Sequence, residues 1–377
     1  MSTAFDSSRA RRRSWQACAA ALVTAGCVAV TASPALAGSG MSAAKAQLQS
    51  YTSAPTSIGS FPALKTAPPA GKTVVYLGTS EVSNVQVAAA VKQVAALAHW
   101  KYYQVSYDPA NPATFLSAFN TAVAKHANYV LSTGTPLPPQ IITEAKAHHI
   151  KLAVDATYPV SVSAPVIDSS DGFTQDHLMG ELVADEFIVD SHGAGKAVEE
   201  AVPQYPILTA FSSGFKSTVA KDCPKCSIVM ANVTIPQLAA GQLSSVVVSA
   251  VKSNPGYNYL VTDDGPFFDG IQSALSAAGI SGEKILGEAG DQTGFTALKA
   301  GTELAWTGYS VPFPAWEMMD AAFRDAEHMK VPAADATQPT ELVTHANAGS
   351  LKLFPSLGGW NYPTDGLKQL EAVWHLK

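Results

Sequence analysis

The sequence predicts an α/β protein of two doubly wound, Rossmann-like lobes joined by a hinge. Three observations carry this. β-branched apolar runs alternate with helix-length amphipathic segments from Thr73 onward, the pattern of βα units around parallel sheets. That rhythm breaks once, between Ile150 and Gly172, where two apolar runs, Ile150–Ala156 and Ala164–Ser169, are separated by seven residues including Pro159. So short a link cannot hold a helical crossover within one parallel sheet. The expectation is that the chain leaves its first sheet after Asp155 and starts a second.

The chain opens on the pattern of an export signal. Arg9 and Arg11–Arg13 form a basic region, Trp15 to Val30 is apolar, and Ala35-Leu36-Ala37 offers small residues for cleavage. The apolar run is short and Ala-rich for a permanent membrane span. Thr24-Ala25-Gly26-Cys27 offers a second reading, in which Cys27 is lipidated; both readings place the protein outside the cytoplasm, in the medium or on the cell envelope. Residues 38–72 are poor in large apolar side chains and read as a tether or loose wrap, with part of Ala43–Tyr51 helical.

Composition narrows the partners. Residues 1–37 carry four arginines and one aspartate, so their removal takes the formal charge from −6 to −9. An acidic chain is a poor ligand for nucleic acid. Arg324 is then the one arginine left, which disfavours bidentate capture of phosphate or carboxylate. Cys223 and Cys226, in Cys-Pro-Lys-Cys, have no nearby Cys or His to complete a zinc site, and in an exported protein they read as a small disulfide. No metal or other cofactor is expected.

The elements follow in order. Thr73–Gly78 is a buried strand, and Asn84–His99 a helix with Val87, Val91, Val94 and Leu97 on one face. Tyr102–Tyr107, Ala127–Thr133 and the run ending at Asp155 are the next strands, with helices beginning at Asn111-Pro112 and covering Gln140–His148. Beyond the break come strands at Ala164–Ser169, Ala197–Val202, Ser227–Val233, Tyr257–Thr262, Ile285–Gly287, Glu303–Gly308 and Leu342–Ala346. The helices between them are Phe173–Val189, Leu208–Ala220, Gln242–Lys252, Phe267–Ala278 and Pro314–Met329. Domain limits follow as 1–37 signal, 38–72 tether, 73–157 with 311–332 the first lobe, and 158–310 with 333–377 the second.

This order of segments, over about Thr73 to Ala346, resembles the type I periplasmic binding proteins of sugar-type ABC importers, the ribose-binding group. The actinobacterial sequences of that group share Gly71–Val75, the Cys-Pro-x-Cys loop, and a helix like Ala315-Trp316…Asp320…Arg324. The resemblance implies a monomeric extracellular solute-binding protein that delivers a small molecule from between its lobes to an ABC permease. It places ligand contacts at Thr79 and Ser80 after the first strand, Thr133 after the third, Asp155 after the fourth and Ser170 after the hinge. It adds Asp263, with Asp264 next to it, then Asp291 and Tyr309, and Phe211 lining the pocket. Hinge motion is expected at about Thr157–Ser161 and after Asp291 and Tyr309.

The chain departs from the family where sugar contacts are usual. Ser80–Asn84 replaces Asn-Pro-Phe-Phe, Ala156 stands for an arginine, and Thr209–Phe215 lacks one. The expected ligand is therefore sugar-like, or a less polar or partly aromatic molecule. Each candidate has a plainer role too: Asp155, Asp263 and Asp291 can cap helices, and Phe211 and Tyr309 can pack. No Gly-x-Ser-x-Gly elbow, His-Glu-x-x-His motif or P-loop occurs, so no enzyme is expected. The alternatives are a ligand sensor for a membrane receptor and, further off, a secreted α/β hydrolase.

Overall fold

The computed structural model describes residues 34–155, 160–169, 172–332, 338–352, 360 and 363–376. Cys27 and Ser170 lie outside them. The body contains two sheets. The first has strands β1 (Thr73–Gly78), β2 (Lys101–Ser106), β3 (Tyr129–Thr133), β4 (Lys151–Asp155) and β5 (Val166–Ser169) in the order β2-β1-β3-β4-β5, all parallel. The second has β6 (Lys196–Ala201), β7 (Ser227–Asn232), β8 (Tyr259–Thr262), β9 (Lys284–Gly287), β10 (Ala305–Tyr309) and β11 (Thr340–Thr344). Its order is β11-β10-β9-β8-β6-β7, with only β11 antiparallel. Apart from that edge strand the two windings are the same, so the expected duplication of architecture is present.

The short link is not where the chain changes sheets. β5 pairs with β4 in the first sheet, Leu152 opposite Val166 and Val154 opposite Ser169. A return without a helix is possible because the strands are short. Val160 N–H bonds Ser169 Oγ at the top of β5, and by Pro165 the chain has reached the bottom, where the Pro165 carbonyl accepts from Leu152 N–H. Val160 and Ser161 therefore belong to the first lobe, and the first crossing falls between Ser169 and Gly172. A second runs from Tyr309 to Phe313.

The helices of the first lobe are α2 (Val82–Leu97), α3 (Pro112–Ala124), α4 (Pro139–Ala147), α11 (Phe313–Ala326) and α12 (Gly366–Val373). Those of the second are α5 (Phe173–Asp190), α6 (Pro206–Asp222), α7 (Ile235–Ala239), α8 (Leu243–Ser253), α9 (Ile271–Ala277) and α10 (Gln292–Lys299). Helix α1 (Pro34–Tyr51) buries Ala44 and Leu48 among α5 and α6 side chains. The α5–α6 contact is the tightest in the molecule. A Cβ on Gly180 would land on the Phe211 carbonyl oxygen, and one on Gly214 on the His177 carbonyl oxygen. The Cys223–Cys226 disulfide closes the turn after α6.

Residues 38–72 are not a tether. After α1, Thr52 and Ala54 attach to the second lobe, through Asn347 and an apolar contact. Thr56 and Ile58 already bond Gln369 of α12, and Ile58 and Leu64 are buried in the first lobe's core. That core also holds Leu370 and Trp374, which moves the chain's end from the second lobe, where it was expected, to the first. Arg324 ties this layer down: it is 1% exposed, pairs with both oxygens of Asp320 at 2.6 and 3.1 Å, and donates to the Pro62 carbonyl. Trp374 Nε1 donates to the same Asp320 at 2.8 Å.

Candidate functional site

Doubly wound sheets present their ligand sites at the carboxyl ends of the strands, where the winding reverses. Here the reversals fall between β1 and β3 in one sheet and between β6 and β8 in the other. Residues from both places line one cleft of about 100 Å³. The first lobe contributes Glu81, Ser83 and Asn84 after β1, Thr133 and Gly134 after β3, Asp155 after β4, and Pro314 of α11. The second contributes Asp176 of α5, Tyr205, Ile207 and Leu208 at the start of α6, Asp264 and Phe267 after β8, and Glu288 after β9.

The lobes touch across the cleft. Tyr205 Oη donates to Glu81 Oε1 at 2.6 Å, while Thr79 Oγ1 donates to Glu81 Oε2 at 3.0 Å. Glu81 and Tyr205 occupy the N-cap positions of α2 and α6. Asn84 Oδ1 accepts from Tyr76 Oη at 3.1 Å, so the floor of the first lobe is fixed by buried hydrogen bonds.

The wall is acidic. Asp155, Asp176, Asp264 and Glu288 are all under 9% exposed. Burial, then the charges of their neighbours, hold the carboxyls of Asp176, Asp264 and Glu288 well above the usual carboxylate range. Asp176 and Glu288 bond each other, which needs a proton on one of them. Asp264 Oδ1 has no hydrogen-bond partner. The N-termini of α2, α5, α6 and α11 meet at this cleft, and their partial positive charge helps it tolerate the carboxylates. Among the described residues no group of three or more His, Cys, Asp or Glu is arranged to hold a metal ion.

Of the residues named from sequence, Thr133 and Asp155 line the cleft. Thr79 stands one layer behind, holding Glu81, and Ser80 is exposed. Three expectations are corrected. Phe211 is fully buried, stacked with Phe215 against α5, because positions 211 and 215 share the helix face turned to that neighbour. Asp263 points behind the wall, its Oδ2 accepting from Val202 N–H at 2.9 Å; alternation along the chain gives the cleft to Asp264 instead. Asp291 caps α10, accepting from Gly294 N–H at 2.9 Å, and lines not this cleft but a second opening shared with Val82 and Gln86 of α2. The backbone of Tyr309 pairs with Thr340, and its side chain lies outside the description.

Sequence reasoning passed over Glu81, Asp176, Tyr205 and Glu288. Glu81 and Glu288 each lie within three residues of a strand's carboxyl end and were open to the rule that found Asp155. Phe267 lines the cleft, while Phe268 is in the core.

No protein-family model and no curated protein matches the chain. Solved structures do. The periplasmic binding protein of an arabinose ABC transporter from Shewanella sp. ANA-3, bound to L-arabinofuranose, matches at TM-score 0.64 and 15% identity over 81% of this chain and 99% of that one. A Mycobacterium smegmatis protein in complex with β-D-fucofuranose matches at 0.63 and 18%, over 81% and 98%. The 5-methylthioribose transporter solute-binding protein of Thermotoga lettingae matches at 0.64 and 15%, over 82% and 99%. At these identities the likeness is one of fold: two α/β lobes wound as in periplasmic binding proteins.

Proposed function

We propose that this protein is an exported solute-binding protein that captures a small, hydrogen-bonding, sugar-like molecule between its lobes and presents it to an ABC importer. The observation that carries the reading is the cleft itself. It is built from the reversal points of both sheets and bridged by Tyr205 and Glu81, so its shape depends on how the lobes close. Solved proteins with this winding are transporter components with arabinofuranose or 5-methylthioribose bound, which supports the same use here. The basic and apolar pattern of residues 1–37 supports export.

The chemistry needed is binding and closure, not bond making. A solute that prefers the closed form shifts the lobes toward it by its differential affinity, and a permease can then read the closed shape. Thermal unfolding of the mature chain against sugars, amino sugars, polyols, amines and aromatic acids tests this. A ligand at 100 times its Kd adds about 2.7 kcal/mol to native stability. A raised midpoint that Asp155→Ala abolishes is expected. A blank across every class would sink the transport reading and leave the fold unchanged.

A further inference from the structure

We propose that the solute is a small organic cation, one whose ammonium group sits among the carboxylates of the cleft. This rests on the reading of the cleft as a solute site and names the class of solute.

The wall offers acceptors. Glu81 and Asp155 face Asp176, Asp264 and Glu288, and no lysine, arginine or histidine lines the cleft among the described residues. Asp264 is 8% exposed, and its Oδ1 has no hydrogen-bond partner in the protein. Such an oxygen destabilises the fold when nothing donates to it, the more so when charged. The missing complement is a donor. An ammonium brings three donors and no acceptor, whereas each hydroxyl of a neutral sugar also seeks a donor of its own. The wall's own donors are few: the Tyr205 hydroxyl is spent on Glu81 and the Thr133 hydroxyl on Tyr76, leaving the hydroxyl of Ser83 and the amide of Asn84.

Charge points the same way. Neighbouring carboxylates in a buried wall repel, and a hydroxyl does not relieve that. A unit positive charge close to the carboxylates does relieve it, because Coulomb attraction is only weakly screened in a partly buried site. The ring of Phe267 beside the carboxylates adds a surface that cations favour. The carboxylates do not converge on one point as metal ligands would, which suits a cation with a carbon frame. The cleft, about 100 Å³, is somewhat smaller than the ~150 Å³ cavity that holds a benzene, so the frame is short. When the cation enters, the proton shared by Asp176 and Glu288 leaves, so binding releases protons.

Matched pairs that differ only in ammonium for hydroxyl test the proposal. The full mature chain is melted at pH 7 and fixed ionic strength with 1,4-diaminobutane or 1,4-butanediol, 2-aminoethanol or ethylene glycol, and D-glucosamine or D-glucose. Any binder is titrated calorimetrically in buffers of different ionisation enthalpy. The expected result is a raised midpoint with amine members alone, accompanied by proton release. Asp264→Asn and, separately, Glu288→Gln should remain folded and bind the amine about tenfold more weakly or worse. Neutral members that bind as well as or better than their amines would overturn the cation and leave the solute-binding reading intact. If neither these pairs nor the wider panel of sugars, polyols and aromatic acids moves the midpoint, both fall.

Discussion

The phenol of Tyr205, at the start of α6, donates to Glu81, at the start of α2, and the 2.6 Å bond joins one lobe to the other. Thr79 holds the second oxygen of the same carboxylate, so the clasp has a fixed anchor and one removable partner. Tyr205→Phe should favour the open form: a hydrogen bond to a charged group contributes about 1.5–3 kcal/mol. The expected outcome is a larger radius of gyration in solution scattering and roughly tenfold weaker solute binding. Unchanged dimensions and affinity would show that the clasp does not hold the lobes.

Stability should depend on pH in a specific direction. Burial pushes Asp168, Glu199 and Glu200 up to about 7, against ordinary values of 3.8 and 4.5. Between those limits the folded protein keeps protons that the unfolded chain has lost. Their contribution is complete below about pH 4 and lost as pH rises through about 7. Denaturant midpoints should therefore fall from pH 5 to pH 8, and Glu199→Gln should flatten the slope. A midpoint that climbs over this range would contradict the burial of these groups.

Gly180 and Gly214 allow α5 and α6 to meet backbone to backbone. Alanine at either site needs the helices to part, an overpacking cost of about 1–3 kcal/mol. Urea unfolding of Gly180→Ala should show this, although alanine is the better helix former by about 1 kcal/mol. A gain in stability would mean the helices have room to separate.

Arg324 and Asp320 form a buried pair, 1% and 5% exposed. Arg324→Ala leaves the carboxylate unpaired and should cost about 3–5 kcal/mol, while replacing both by leucine should cost far less. Equal losses for the single and double variants would show that packing, not charge pairing, decides the matter.

Strand order was readable up to β4 because each strand is followed by a helix with one apolar face. β5 was misassigned because it rejoins its sheet after a link too short for a helix, and periodicity carries no sign of that. The outer layer was read only as a tether or loose wrap for a related reason: residues 52–64 are buried piecemeal, with Ile58 and Leu64 in the core and Phe61 packed at its edge, and no repeat betrays them. In the site, the family resemblance pointed to Thr133 and Asp155, yet it put Asp263 ahead of Asp264, a matter of which way one side chain turns. Tyr205 and Asp176 gain their meaning only when two distant segments face each other, and nothing local to either states that.

The passage from Ala54 to Thr56 also sets a mechanical limit. Ala54 is held by one lobe and Thr56 by the other, and two residues fully stretched reach only roughly 7 Å. At this edge the lobes have almost no slack; they can pivot but not draw apart. The gape at the far edge, and so the girth of whatever enters, is governed by a leash outside both sheets.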